Sequence, residues 1–165
     1  MIVVSNSSPL ISLAKIDSFH LLQQLYGSVT ISAEVYAEVV VSGASLPGSS
    51  ETSSSPWLQV RQVRRTENIA AAQERFGLGI GELSTLILAK ELGADLVILD
   101  DLGARKLAQR EGFRVQGSLA ILEACFRKGF LADLRRAYGQ LLERGVFLNR
   151  EILNRSLQAF SLPPI

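Results

Sequence analysis

Four consecutive apolar residues at 96–99, Leu-Val-Ile-Leu, are followed directly by Asp100 and Asp101. A strand that is apolar at every position is buried on both faces, which is typical of a parallel sheet covered by helices on either side. Two further strand-like runs occur at 2–5 and 29–31, and segments of helical periodicity alternate with them. This alternation predicts an α/β chain with a doubly wound parallel sheet in three α/β/α layers.

The length fits one domain, since 165 residues fall within the roughly 100–200 of a typical compact domain. Hydrophobic residues make up 47% of the chain and charged residues 20%, which allows a large core and excludes general disorder. We expect a single domain over 1–160 that ends in several C-terminal helices, followed by a tail at 161–165. Residues 42–56, rich in Ser, Gly and Pro, predict a flexible loop within that domain.

Several protein classes are excluded by what the sequence lacks. No apolar run reaches the roughly 18 residues of a membrane helix, and the N-terminus lacks the basic segment of a signal peptide, so we expect a soluble, cytoplasmic protein. The single Cys125 and the single His20 exclude a disulfide framework and a multi-histidine metal site. Neither GxxxxGK[ST] nor GxGxxG occurs, so nucleotide hydrolysis and dinucleotide binding are not expected.

The charge of the chain is unevenly distributed although the net charge is only +1. The densest basic stretch runs over 105–136 and includes Arg105, Lys106, Arg110 and Arg114. A basic stretch of this kind can contact the phosphates of a nucleic acid. The alternative is a set of solvated helix faces, which the sequence favours when taken alone.

Polar residues follow two of the predicted strands, where ligands bind in open α/β sheets. Ser-Asn-Ser-Ser at 5–8 ends the first strand, and Asp100 with Asp101 ends the strand at 96–99. Helix capping would explain either cluster, but two adjacent carboxylates repel each other at a buried strand end, so both interpretations stay open. A receiver-like or flavodoxin-like Mg²⁺ domain fits poorly, because its acceptor aspartate would end an earlier, middle strand.

Two glutamates are further candidates. Glu82 shares a predicted helix face with Leu86 and Ala89, so its carboxylate needs a partner or a cation, or else it is a first-turn glutamate stabilised by the helix dipole. Glu38 is stacked one helical turn from Glu34. Taken alone, the pair of Glu34 and Glu38 is more typical of a solvated helix face than of a site.

Four short segments together resemble a PIN domain, and most of all the VapC-type branch of toxin–antitoxin ribonucleases with its uncharacterised relatives. They are Val-Ser-Asn-Ser-Ser-Pro at 4–9, Val-Tyr-Ala-Glu-Val at 35–39, Gly-Ile-Gly-Glu at 79–82 and Val-Ile-Leu-Asp-Asp at 97–101. Each motif is weak alone, but the four occur in the expected order across nearly the whole chain.

The resemblance implies a three-layer α/β/α fold and a ribonuclease that hydrolyses RNA phosphodiesters with Mg²⁺ or Mn²⁺. It also implies a small antitoxin as partner and a homodimer. Hard cations prefer oxygen ligands, and clustered carboxylates tolerate one another when a cation neutralises them. The bound ion then activates water and stabilises the charge that develops on the phosphate.

By the same resemblance, the residues around the metal would be Asn6, Glu38, Glu82 and Asp101, with Asp100 beside it. Which aspartate of the adjacent pair ligates the metal stays open. Ser7 and Ser8 would hold water or phosphate near the ion. The residues expected to contact the nucleic acid are Ser7, Arg105, Lys106, Arg110 and Arg114.

Asn6 departs from the family pattern, which has aspartate at this position. An amide oxygen can ligate a cation, but it brings no negative charge and cannot act as a base. We therefore expect weaker divalent-ion binding and slow or absent cleavage. Three explanations stay open: a degenerate PIN-like domain that binds RNA or protein without cutting, an active enzyme with a weakened site, or an engineered asparagine.

Overall fold

The computed structural model describes residues 1–165 as one sheet of five parallel strands with helices on both faces. The strands are β1 (Val3–Ser5), β2 (Val29–Ser32), β3 (Leu58–Arg61), β4 (Leu96–Ile98) and β5 (Val115–Gln116). The helices are α1 (Ser7–Lys15), α2 (Leu21–Tyr26), α3 (Ala33–Tyr36), α4 (Ser49–Ser54), α5 (Glu67–Phe76), α6 (Ile80–Leu92), α7 (Leu102–Arg110), α8 (Ser118–Arg127), α9 (Leu134–Glu143) and α10 (Arg150–Ala159), and a π-helical segment (Ala37–Ser42) continues α3. The predicted fold class is confirmed.

The strand order is β3-β2-β1-β4-β5, with β1 in the centre. Val3, Val4 and Ser5 lie beside Leu96, Val97 and Ile98 of β4 in parallel register. The chain first adds β2 and β3 on one side of β1 and then β4 and β5 on the other, so the order reverses between β1 and β4. The carboxyl ends of these two strands therefore frame the crevice in which open α/β sheets bind ligands.

Two hydrophobic cores cover the two faces of the sheet. Alternate strand residues separate them: Val3 belongs to the larger core, while Val4 belongs to the smaller one. The larger core lies against α1, α2, α8, α9 and α10, and the smaller against α5, α6 and α7. The continuous apolar run at 96–99 is thus buried on both faces, as the sequence predicts.

Side-chain caps fix the starts of several helices. Asp101, Asp133 and Asn149 each accept a hydrogen bond from a backbone N–H in the first turn of α7, α9 and α10, respectively. Each cap of this kind stabilises its helix by about 1 kcal/mol. These caps explain why the helices begin directly after polar residues.

The segment 42–56 is not entirely a loop, because α4 forms within it. Its serines and threonine are weak helix formers, so their composition predicts a loop. In the structure, the Glu51 carboxylate accepts a hydrogen bond from the Gly48 N–H at 3.0 Å, and Thr52 is buried. Tertiary packing against the π-helical segment therefore overrides the local preference. The mobility of this segment stays a prediction.

Side chains of α9 and α10 hold the C-terminal tail. The Arg135 guanidinium donates two hydrogen bonds to the Pro164 carbonyl, at 3.1 and 3.0 Å. The Ile165 N–H donates to Asn154 Oδ1 at 2.7 Å. The last residues therefore lie against the closing helices.

No helix of the chain has both the length and the apolar character that a membrane crossing requires.

Burial on α8 should suppress the reactivity of Cys125. Burial raises the pKa of this thiol from 9.0 to about 11, and the Lys128 ammonium acts in the opposite direction. Only the thiolate reacts, so we expect slow alkylation by iodoacetamide at pH 8 in the native protein and fast alkylation in urea, followed by mass spectrometry. Because the folded protein favours the neutral thiol, the contribution of Cys125 to the free energy of unfolding is fully present below pH 9. This contribution is lost as the pH rises through about 11. Equal alkylation rates in both states would contradict the packing of α8.

Candidate active site

Asn6 lies at the carboxyl end of the central strand, and its side-chain oxygen has no partner. Its backbone N–H donates to the Ile98 carbonyl at 3.0 Å, which ties it to β4. The residue is at the N-cap of α1, yet its side chain makes no capping hydrogen bond. Oδ1 is buried and accepts none at all. An unpartnered buried acceptor costs about 1–3 kcal/mol, so this oxygen is available for a ligand.

Glu38 approaches Asn6 from the π-helical segment. The Gly43 N–H bonds back to the Glu38 carbonyl at 3.0 Å, the five-residue spacing of a π turn. The Ser7 hydroxyl donates to Glu38 Oε1 at 2.9 Å and so orients the carboxylate. Glu38 Oε2 makes no hydrogen bond to the protein. Ser7, expected to hold water or phosphate, thus contacts a candidate catalytic carboxylate directly.

Gly81 provides the space for both oxygens. A Cβ atom at this position would lie 2.5 Å from Glu38 Oε2 and 3.3 Å from Asn6 Oδ1. The two oxygens therefore face the same point on α6. The φ angle of Gly81 is not in the left-handed region, so the position needs glycine for its small size and not for its backbone freedom.

Buried hydroxyl groups fix the N-terminus of α6 at this position. The Ser84 and Thr85 hydroxyls both donate to the Gly81 carbonyl, at 2.9 and 2.7 Å. Ser84 Oγ also lies 2.7 Å from Ser32 Oγ at the end of β2. All three hydroxyl-bearing residues are fully buried. This chain of hydrogen bonds joins α6 to the sheet, so Gly81 cannot easily move away from Glu38.

Glu82 and Asp101 both cap the helices on which they lie. Glu82 Oε2 accepts a hydrogen bond from the Gly79 N–H at 2.8 Å, and Asp101 Oδ1 accepts one from the Ala104 N–H at 2.7 Å. The capping interpretation raised for the aspartates therefore holds for Asp101. Each carboxylate keeps a second oxygen that makes no hydrogen bond to the protein, so capping and ligation are compatible.

The side chain of Asp100 has different hydrogen-bond partners from that of Asp101. Its two carboxylate oxygens accept hydrogen bonds from the Ser118 N–H at 2.7 Å and the Ser118 hydroxyl at 2.6 Å. It therefore joins the end of β4 to the start of α8. Asp100 lines a separate cavity of about 620 Å³. Neither aspartate lines the cavity that contains Asn6 and Glu38.

That cavity has a volume of about 350 Å³ and is mostly polar. The predicted site residues on its wall are Asn6, Ser7, Ser8, Glu38 and Glu82. Gln73 of α5 is a further lining residue that the sequence analysis misses. No motif marks it, because its position depends on how α5 packs against α6. The structure thus brings together three of the four segments that carry the resemblance.

The oxygen donors of this cavity suit a hard divalent cation. The buried Asn6 Oδ1 is unpaired and lies beside the free oxygen of Glu38, and Glu82 lines the same space. No three His, Cys, Asp or Glu side chains are close enough to hold a metal by themselves. Mg²⁺ usually keeps several of its waters and takes only one or two carboxylates, so this small donor set fits it.

The four candidate basic residues lie at two opposite edges of the sheet. Arg105 and Lys106 are in the first turns of α7, near the carboxyl ends of the strands. Arg110 ends α7 and Arg114 directly precedes β5, at the amino edge of the sheet. A nine-residue helix is about 13 Å long. Only Arg105 and Lys106 therefore lie at the edge of the sheet that carries the candidate site.

A protein-family model described as DUF3368: PIN domain matches residues 2–161. The match spans almost the whole chain, including all five strands and all ten α-helices. No curated protein matches the chain.

Gly81→Ala is expected to destabilise the protein by about 1–3 kcal/mol, because the new Cβ overpacks against the Glu38 carboxylate. In a Glu38→Ala background the same substitution should cost clearly less, since the carboxylate is gone and only the 3.3 Å approach to Asn6 Oδ1 remains. Urea unfolding of the four members of this double-mutant cycle measures the coupling between the two residues.

Gly139→Ala is the matched control, because Gly139 is also within a helix (α9) and a Cβ there would meet nothing within 4 Å. It should stabilise the fold by about 0.5–1 kcal/mol. Equal effects of the Gly81 and Gly139 substitutions would show that the Glu38 carboxylate is not held against α6.

Proposed function

The chain belongs to the PIN-domain family, and from that membership and the site geometry we propose that it is a metal-dependent endoribonuclease of the toxin–antitoxin type. Family membership supports a nuclease-type fold that binds nucleic acid. The observation that carries the proposal is the buried, unpartnered Oδ1 of Asn6, which lies beside Glu38 at the switch point of the sheet. A carbonyl oxygen without a donor, next to a carboxylate, is an unfavourable arrangement that a cation relieves.

Three residues that line the same cavity would hold the ion in this proposal: Asn6 and Glu82 directly, and Glu38 through a ligated water. Asp101 does not line this cavity and would reach the ion only through water; it is preferred over Asp100 in that role, because both oxygens of Asp100 accept hydrogen bonds from Ser118. Bound Mg²⁺ or Mn²⁺ would lower the pKa of a ligated water and offset the charge that develops on the scissile phosphate.

Because the side chain of Asn6 is neutral, Glu38 carries out the proton transfer in this proposal. An amide oxygen cannot take up a proton, so Glu38 Oε2, which makes no hydrogen bond to the protein, is the base that accepts one from the attacking water. The Ser7 hydroxyl keeps Glu38 oriented through Oε1. The absent charge at Asn6 predicts a weaker ion site than one with aspartate.

The remaining partners follow the resemblance. The substrate is RNA, whose phosphates meet Arg105 and Lys106 near the carboxyl edge of the sheet. A small antitoxin protein, a homodimer and a cytoplasmic site of action complete the proposal. A degenerate domain that binds without cutting is the alternative that the following experiment separates from it.

Asn6→Asp is expected to bind Mn²⁺ at least about tenfold more tightly than the unchanged protein, since a charged ligand replaces a neutral one next to the cation, about 1.4 kcal/mol of extra binding free energy. RNA cleavage should rise with it. Calorimetric titration of both proteins with Mn²⁺ and Mg²⁺, together with an RNA cleavage assay on the same samples, measures the two effects.

Glu38→Gln in each background is the control, because it keeps the shape of the side chain and removes both its charge and its basicity. It should abolish cleavage and weaken ion binding. Cleavage by Asn6→Asp alone would mean that the unchanged chain is a degenerate nuclease. Absence of ion binding in both proteins would overturn the nuclease proposal and make the carboxylates structural.

A further inference from the structure

The larger cavity, of about 620 Å³, adjoins the candidate active site. Ser8, the second residue of α1, lines both cavities. Asp100, Arg105 and Ser118 also line the larger one, so it opens at the same carboxyl edge of the sheet. Its volume is within the roughly 300–1,000 Å³ typical of small-ligand sites. A polymer that crosses the active site therefore meets this cavity as the next available space.

Arg105 is the charged group on the cavity wall that the fold leaves unpaired. Asp100 uses both carboxylate oxygens to bind Ser118. Glu123 Oε1 accepts a hydrogen bond from the Ser156 hydroxyl at 2.6 Å. Arg105 makes no ion pair, since the single salt bridge of the chain joins Lys90 and Glu111. The half-buried Arg105 guanidinium donates no hydrogen bond within the protein, so its N–H groups are free for a phosphate, although the carboxylates of Asp100 and Glu123 line the same wall.

The rest of the wall is largely apolar and ends in an exposed aromatic ring. Phe147 follows α9 and is fully exposed (104%), while Leu102 and Ile152 beside the same cavity are 65% and 52% exposed. An apolar space with a flat ring at its rim suits the face of a nucleobase, because bases stack on aromatic side chains. Phosphate and base are joined in one nucleotide, and Arg105 and Phe147 line the same cavity.

Gly117 keeps the floor of the cavity open. A Cβ there would lie 2.9 Å from Asp100 Oδ1 and 3.1 Å from Arg105 Nη1. Its φ angle of −110° is accessible to any residue. Glycine therefore leaves space first for the Asp100 carboxylate and then for the Arg105 guanidinium, as Gly81 does for Glu38.

We propose that this cavity binds one unstacked base of a single-stranded RNA, with Phe147 as the stacking surface and Arg105 on the adjoining phosphate. The inference rests on the proposed nuclease function and extends it to a substrate subsite. A base inside a duplex is already stacked and paired, so it cannot enter. Single-stranded RNA should therefore bind more tightly than a duplex of the same length.

The test is fluorescence anisotropy of a labelled single-stranded RNA of mixed sequence, in EDTA so that no cleavage occurs. Phe147→Ala is expected to weaken binding about tenfold, the loss typical of one stacked base. Arg105→Ala should weaken binding and reduce the dependence of log affinity on log salt by about one unit. Phe130→Ala and Arg136→Ala change two exposed residues that do not line this cavity, and these variants should bind RNA within twofold of the unchanged protein.

An abasic nucleotide moved stepwise along the RNA identifies the base. At one position it should weaken binding to the unchanged protein about as much as Phe147→Ala does, and it should have no further effect on that variant. RNA binding that is insensitive to both Phe147→Ala and Arg105→Ala would overturn the subsite but leave the nuclease proposal intact, and the exposed face would then suit a protein partner. Failure of the unchanged protein to bind RNA both in EDTA and with Mg²⁺ would overturn both.

Discussion

The complete burial of the central strand β1 determines where every other element of the site lies. Its side chains point alternately into two separate cores, so the strand can neither shift its register nor turn over without exposing apolar surface. Neighbours are added on one side and then on the other, and this order places the end of β1 next to the end of β4. Asn6 is fixed at that junction by both its position in the chain and its backbone bond to Ile98.

Helix starts share this edge of the sheet with the carboxylates. α1, α6, α7 and α8 all begin here, so the positive ends of their dipoles point toward the crevice. Glu82 and Asp101 each use one oxygen to cap a helix and keep another free. Capping and ion binding are therefore not exclusive interpretations of the same residue. The helix starts also lower the cost of holding carboxylates at this edge of the sheet.

Two glycines, which have no side chain, leave space in the two cavities. Glycine at 81 leaves room for the Glu38 carboxylate, and glycine at 117 leaves room beside Arg105. Neither glycine has a positive φ angle, so a sequence pattern based on turns gives no reason for them. Their role becomes visible only when the atoms across the gap are known. Family membership supports a nuclease-type fold, while the chemistry that we propose depends on the free oxygens of Asn6 and Glu38.

The sequence by itself determined the layers, the parallel sheet and most helices. The reason is that a strand buried on both faces is apolar at every position, as at 96–99, whereas a surface strand alternates apolar and polar residues. That the polar residues at the strand ends form a functional site stays a prediction. Only the tertiary structure decided that Asp100 and Asp101 diverge, that Gln73 joins the site, and that Arg110 and Arg114 lie at the far edge. The formation of α4 within a serine-rich segment likewise depends on packing. Each of these outcomes requires contacts between residues distant in the chain, which local patterns of hydrophobicity and charge do not contain.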